Sequence, residues 1–177
     1  AMATFEGSDW QSDYQGKPLL RDHVCVGYIA RHEQLPDGRY NMLLQGICRA
    51  RIVEEVPNDP YRIAMLRPTE QKTAMEIDLG EHRQRIEELL NDPMLRELAS
   101  VSAIHNWLSS EIPTAALIDL AIMTVSDNID QKYARLCEPD VEARAHWLEN
   151  ELRTTKRTLA IAERHAPSDP ETGGSLN

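Results

Sequence analysis

The chain has 177 residues, 41% hydrophobic and 27% charged, enough for one or two domains with a real core. Three scattered cysteines, Cys25, Cys48 and Cys137, exclude a disulfide scaffold, and their odd number fits a reducing cytoplasm. Residues 1–70 hold 8 basic and 10 acidic side chains and the remainder 11 and 19, so the second half is the acidic one and opposes wrapping around phosphate.

No apolar run approaches the roughly 20 residues that span a bilayer, and no secretory leader opens the sequence, so no membrane partner is expected. Ala1 before Met2 resembles an added residue ahead of an initiator methionine. Residues 3–17 are polar and turn-rich and read as loop, with Trp10 and Tyr14 to tuck it down.

Residues 24–33 (VCVGYIARHE) read as a strand with a bulge at Gly27. Leu35-Pro36-Asp37-Gly38-Arg39 is a turn: Pro36 sets a negative φ, Asp37 can bond nearby backbone, and Gly38 takes a positive φ freely. Residues 40–54 form the second strand of a hairpin and also contain a glycine, Gly46. Along it Cys48, Ala50 and Ile52 share one face and Arg49, Arg51 and Val53 the other, as in a sheet half-covered by core. Pro57-Asn58-Asp59-Pro60 is the next turn, and residues 61–66 a third strand stopped by Pro68.

Helical spacing takes over in the second half. Ile86, Leu89 and Leu90 mark a helix over 81–90, and Asn91-Asp92-Pro93 ends it and starts another. Met94, Leu95, Leu98, Val101, Ile104, Trp107 and Leu108 form one amphipathic stripe. Leu117, Ile118, Leu120, Ala121, Ile122 and Val125 make the helix after Pro113 apolar over much of its surface, hence the central one. Ser126-Asp127-Asn128 offers caps for a short helix through Leu136. From Pro139 the longest helix runs with Val141, Ala145, Leu148, Leu152, Thr155, Leu159 and Ala162 in a heptad-like seam, read as a bundle helix. Residues 167–177 read as a disordered tail.

Catalytic and cofactor signatures are missing. There is no phosphate-binding loop, no G-x-G-x-x-G, no G-x-S-x-G and no H-E-x-x-H. His23, His32, His82, His105, His146 and His165 lack zinc spacing and read as exposed or half-buried. Cys25 lies in an apolar strand and reads as inert packing. No catalytic residue, metal or cofactor is assigned.

The ordered set Gly27-Tyr28-Ile29-Ala30, Leu35-Pro36-Asp37-Gly38-Arg39, Leu43-Leu44-Gln45-Gly46, Arg49-Ala50-Arg51-Ile52 and Tyr61-Arg62-Ile63-Ala64 resembles the Lon protease N-terminal domain family. Asp119 to Val125, Gln131-Lys132 and Pro139 to Arg144 resemble that family's run into its terminal helix. The resemblance covers about residues 20–160 and implies an α+β fold: a partial PUA-like β-barrel or sheet over 1–70, then a helical bundle over 71–166 with a long C-terminal helix. It implies a stand-alone, non-enzymatic module that recognises unfolded or tagged polypeptides and works with a protease or chaperone, since the ATPase and protease domains of that family are absent.

The family's proline-rich opening strand has no counterpart before Trp10. Two explanations stand, a start codon assigned too late, which is preferred, or a reduced barrel. Either leaves a sheet edge open to pair with a second copy. Tyr28, Tyr40, Met42 and Met65 are the candidate polypeptide contacts, because methionine suits promiscuous apolar contact. The alternative is RNA binding by a basic strand face of Arg39, Arg49, Arg51 and Arg62, with Arg67 nearby. The acidic balance disfavours nucleic acid, and pairing with Glu33, Glu54 and Glu55 is the plainer reading of these arginines.

Overall fold

A computed structural model describes residues 1–12, 16–57, 60–70, 72, 74–108 and 111–165, with backbone alone at 105–107. Tyr14, the Asn58-Asp59 turn, the side chains of His105 and Trp107, and the tail from Pro167 lie outside the described residues. The elements are strands β1 (His23–Gln34), β2 (Tyr40–Val56) and β3 (Ile63–Pro68), and helices α1 (Gly80–Leu90), α2 (Pro93–Arg96), α3 (Ala99–Leu108), α4 (Thr114–Val125), α5 (Ile129–Cys137) and α6 (Val141–His165). The architecture is α+β, as the sequence implies. Two compact units divide it: Ala1–Lys72 with Ile129–Asp140, and Thr73–Asn128 with Val141–Asn177.

The first unit holds an antiparallel sheet of order β1-β2-β3. Its hairpin turn forms as the residue types dictate. Gly38 has φ +83°, its N–H donates to the Leu35 carbonyl at 3.0 Å, and the Asp37 carboxylate accepts from the Arg39 N–H at 3.0 Å. The bulge expected at Gly27 is a register shift between Val26 and Gly27. The third strand begins later than expected. Tyr61 and Arg62 precede it, because the Arg62 guanidinium turns to the Pro18 carbonyl at 2.6 Å and to Glu55. Pro68 closes the strand opposite Ala50, where an edge position tolerates its missing N–H.

The sheet is less covered than its alternation suggests. On the inner face Val24 and Ala50 are buried and Cys48, Ile52, Ala64 and Leu66 half-buried. From Tyr28 to Ile47 nearly every residue of the hairpin is exposed on both faces. Cys25 is exposed too, not packed, because only Val24 of β1 is fully buried. Helix α5 belongs to this unit. The His23 N–H donates to the Tyr133 hydroxyl at 2.9 Å, and the Arg21 guanidinium lies 4.8 Å from the Tyr133 ring centre while pairing with Asp130. Near the N-terminus a short 3-10 turn over Asp9–Gln11 brings Trp10 onto Phe5, with ring centres 5.1 Å apart.

The second unit has a continuous apolar core. Leu79, Ile86, Leu90, Leu95, Val101, Ile104, Leu117, Ile118, Ala121, Ile122, Val141, Ala145, Leu148 and Leu152 are all buried in one cluster. Helix α4 supplies four of them, as its apolar surface predicts. The stripe from Met94 to Leu108 is two helices, not one. Asp92 caps α2 by accepting from the Met94 N–H at 3.1 Å, and a tight Leu98 N–H to Leu95 carbonyl bond of 3.0 Å separates α2 from α3. The break keeps Leu95 and Val101 both in the core. On α6 the seam is buried as far as Leu152, half-buried at Leu159 and exposed at Ala162.

Buried charge escaped the periodicity. Arg144 is 1% exposed and its Nε donates to Asp119 at 2.9 Å. His82 is buried, against the expectation for the histidines, because it faces the buried Glu149 carboxylate at 2.7 Å.

Candidate functional site

The candidate site is the distal half of the β1–β2 hairpin. Alternation places Cys25, Gly27 and Ile29 on one face of β1, opposite Arg49, Gly46 and Leu44 of β2. Gly27 and Gly46 are direct cross-strand partners. With no side chain at either position, they form the floor of an apolar groove of about 610 Å³, walled by Met2, Cys25, Val26, Ile29, Met42 and Leu44.

The two glycines are not equivalent. A Cβ on Gly27 would lie 2.5 Å from the Gln45 carbonyl oxygen, so the strands can approach here only without one. A Cβ on Gly46 would meet nothing within 4 Å. Exposure is high along the walls: Met2 63%, Ile29 54%, Met42 58% and Leu44 44%. Such contiguous apolar surface is uncommon on a protein without a partner for it. Among the described residues, the outer edge of β1 carries the Met2–Cys25 bridge and no longer ladder.

The four candidate contacts from the sequence do not form one cluster. Met42 walls the groove. Tyr40 lies two positions away on the same face, beside the His32 ring at 6.3 Å. Tyr28 points to the opposite face, where its hydroxyl donates to Gln45 Oε1 at 2.5 Å. Met65 is exposed on β3 opposite Glu54, with much of β2 between it and Met42. The groove also brings in Ile29, Leu44 and the glycine pair, which were not among the sequence's candidates. The two strand glycines were the available signal, but pairing them requires the register.

The basic face is largely neutralised within the sheet unit. Arg39 pairs with Asp37 at 2.7 Å, Arg51 with Asp22 at 2.8 Å, and the Arg62 Nε with Glu55 at 2.8 Å. Of the three carboxylates expected to pair, Glu55 does so with Arg62; Asp37 and Asp22 serve Arg39 and Arg51. The Arg39 bonds to Asp37 hold that carboxyl below its ordinary range. Arg49 sits half-buried on β2 opposite Cys25, and Arg67 lies opposite Arg51 on β3.

A three-stranded antiparallel sheet with an open hairpin and a helical core defines an α+β domain. The profile of the ATP-dependent protease La (LON) substrate-binding domain matches residues 7–153, and the chain belongs to that family. Among solved structures, the N-terminal domain of Mycobacterium avium complex Lon protease shares the fold. Its TM-score is 0.56 at 16% identity, over 76% of this chain and 71% of that one. No curated protein matches the chain significantly. Among the described residues no helix is long and apolar enough to cross a membrane.

Proposed function

We propose that this chain is a non-catalytic module that binds polypeptides in extended form along the β1–β2 hairpin. The carrying observation is the groove over Gly27 and Gly46, whose exposed walls Ile29, Met42 and Leu44 suit alternate apolar side chains of a strand. The bound class is unfolded or tagged polypeptide, handed on to a protease or chaperone. The family, whose name is substrate binding, supports this reading. In the same proposal the β-rich unit contacts the polypeptide, the helical unit is a support, and the protein works in the cytoplasm, where its free cysteines stay reduced.

Fluorescence anisotropy tests it, using one labelled, reduced, unfolded polypeptide at low and moderate salt, with RNA as competitor. Salt-tolerant binding that RNA does not displace is expected, and Gly46→Val, which fills the groove from an open position, should weaken it at least tenfold. Binding that collapses with salt and yields to RNA would shift the site to the arginine face. Unchanged binding by Gly46→Val would remove the groove from the function.

A further inference from the structure

Within the helical unit, His82 on α1 meets His146 and Glu149 on α6. The latter two are three residues apart and so share a helix face. Each of the three offers one ligating atom, and these atoms lie within 4.8 Å of one another. His82 and Glu149 are buried and His146 is exposed, so the cluster has a dry back and an open mouth. Nothing in the sequence spacing announces it, because its members come from opposite ends of the unit.

We propose that His82 and His146 bind a divalent transition-metal ion, with Glu149 as the carboxylate behind His82. The ring centres are 4.5 Å apart with planes at 89°. Two imidazoles sharing one ion at about 2.0–2.1 Å place their ring centres about 4.5 Å apart at a right-angled N–metal–N and about 5.2 Å apart at a tetrahedral one, so the pair must open by less than about 1 Å.

Glu149 is placed for the outer role. Its Oε1 lies 2.7 Å from His82 Nδ1 and accepts from Arg85 Nε at 3.2 Å, while Oε2 accepts from Arg153 at 3.0 Å. Guanidiniums only donate, so the carboxylate stays ionised and its oxygens are already engaged. With an ionised acceptor at 2.7 Å, a proton on Nδ1 is the favoured partner, and the lone pair then lies on Nε2, the arrangement common to metal-bound histidine.

The donor set selects the metal. Two imidazoles completed by water suit Zn²⁺, Cu²⁺ or Ni²⁺, whereas Mg²⁺ and Ca²⁺ demand oxygen ligands. Arg85 and Arg153 oppose the ion's charge, so the affinity is modest and falls well short of a four-ligand structural site. Binding would clip α1 to α6.

The test titrates Zn²⁺ alone into the full chain by calorimetry and by thermal unfolding. One saturable equivalent and a higher Tm are expected, with no response to Mg²⁺. His146→Ala removes an exposed side chain and should cost at least tenfold in Zn²⁺ affinity at unchanged metal-free Tm. Glu149→Gln should also weaken binding about tenfold, in the range seen for outer-shell partners. No binding by the wild-type chain would overturn the proposal. Equal binding by His146→Ala would do the same, placing the metal elsewhere on the chain.

Discussion

Gly27 and Gly46 face each other across one ladder, yet a methyl group at each has opposite consequences. At Gly27 it would meet the Gln45 carbonyl at 2.5 Å, and Gly27→Ala should destabilise the protein by about 1–3 kcal/mol through forced backbone shifts. At Gly46 there is open space, and Gly46→Ala should be neutral or stabilising by up to about 1 kcal/mol, since an alanine has less freedom to lose on folding. Urea midpoints of the two variants check the contrast. Glu149 makes a second prediction. Burial pushes its carboxyl up, but bonds from His82, Arg85 and Arg153 outweigh that and hold it below the ordinary value of 4.5. A lowered folded-state pKa means stability present above the unfolded value and lost as pH falls through the folded one. The wild-type Tm should therefore drop on acidification below about pH 4.5, and Glu149→Gln should flatten that drop. A pH series of melting curves measures both.

At the scale of elements, the start of α2 depends on Asp92. Its carboxylate accepts from the Met94 N–H and also meets Lys156 of α6 at 2.5 Å, and those bonds hold it below its ordinary pKa. Asp92→Ala should cost about 1 kcal/mol, the usual loss for an N-cap, read as a lower denaturation midpoint. The Asp–Pro signal for this start was legible in the sequence. The turn at Leu98 was not, because the apolar spacing continues through it unchanged and only the geometry of the core demands two axes. The buried ion pair of Arg144 with Asp119 was equally hidden. Arginine on an amphipathic helix normally reads as solvent-facing, and burial here follows from the carboxylate that α4 presents. Asp119→Ala should destabilise by about 2–3 kcal/mol by leaving buried charge poorly compensated, which the same denaturation assay reports.

At the scale of the molecule, burial is divided unequally between the two units. The helical unit holds the apolar cluster from Leu79 to Leu152, while the sheet unit buries Val24 and Ala50 and leaves its distal hairpin exposed. Amide hydrogen exchange should be slowest in α4 and the first half of α6 and fastest from Tyr28 to Ile47. The exposed walls and open β1 edge should also make the protein associate with itself as concentration rises. Light scattering would register this, and Leu44→Lys should reduce it by placing a charge on the groove wall. Monomeric behaviour across the concentration range would count against the edge as a self-pairing surface.

The sequence by itself determined the hairpin turn, because Pro36, Asp37 and Gly38 act through local backbone preferences that need no neighbour. It determined the bundle helices and their buried faces for a similar reason: helical period puts residues three and four apart on one side wherever the helix lies. The ordered motifs also carried the family. Tertiary structure alone decided which glycines face each other, which arginines are already paired, and that His82, His146 and Glu149 meet. Each of those depends on register or on packing between segments distant in the chain, and local spacing holds no record of either.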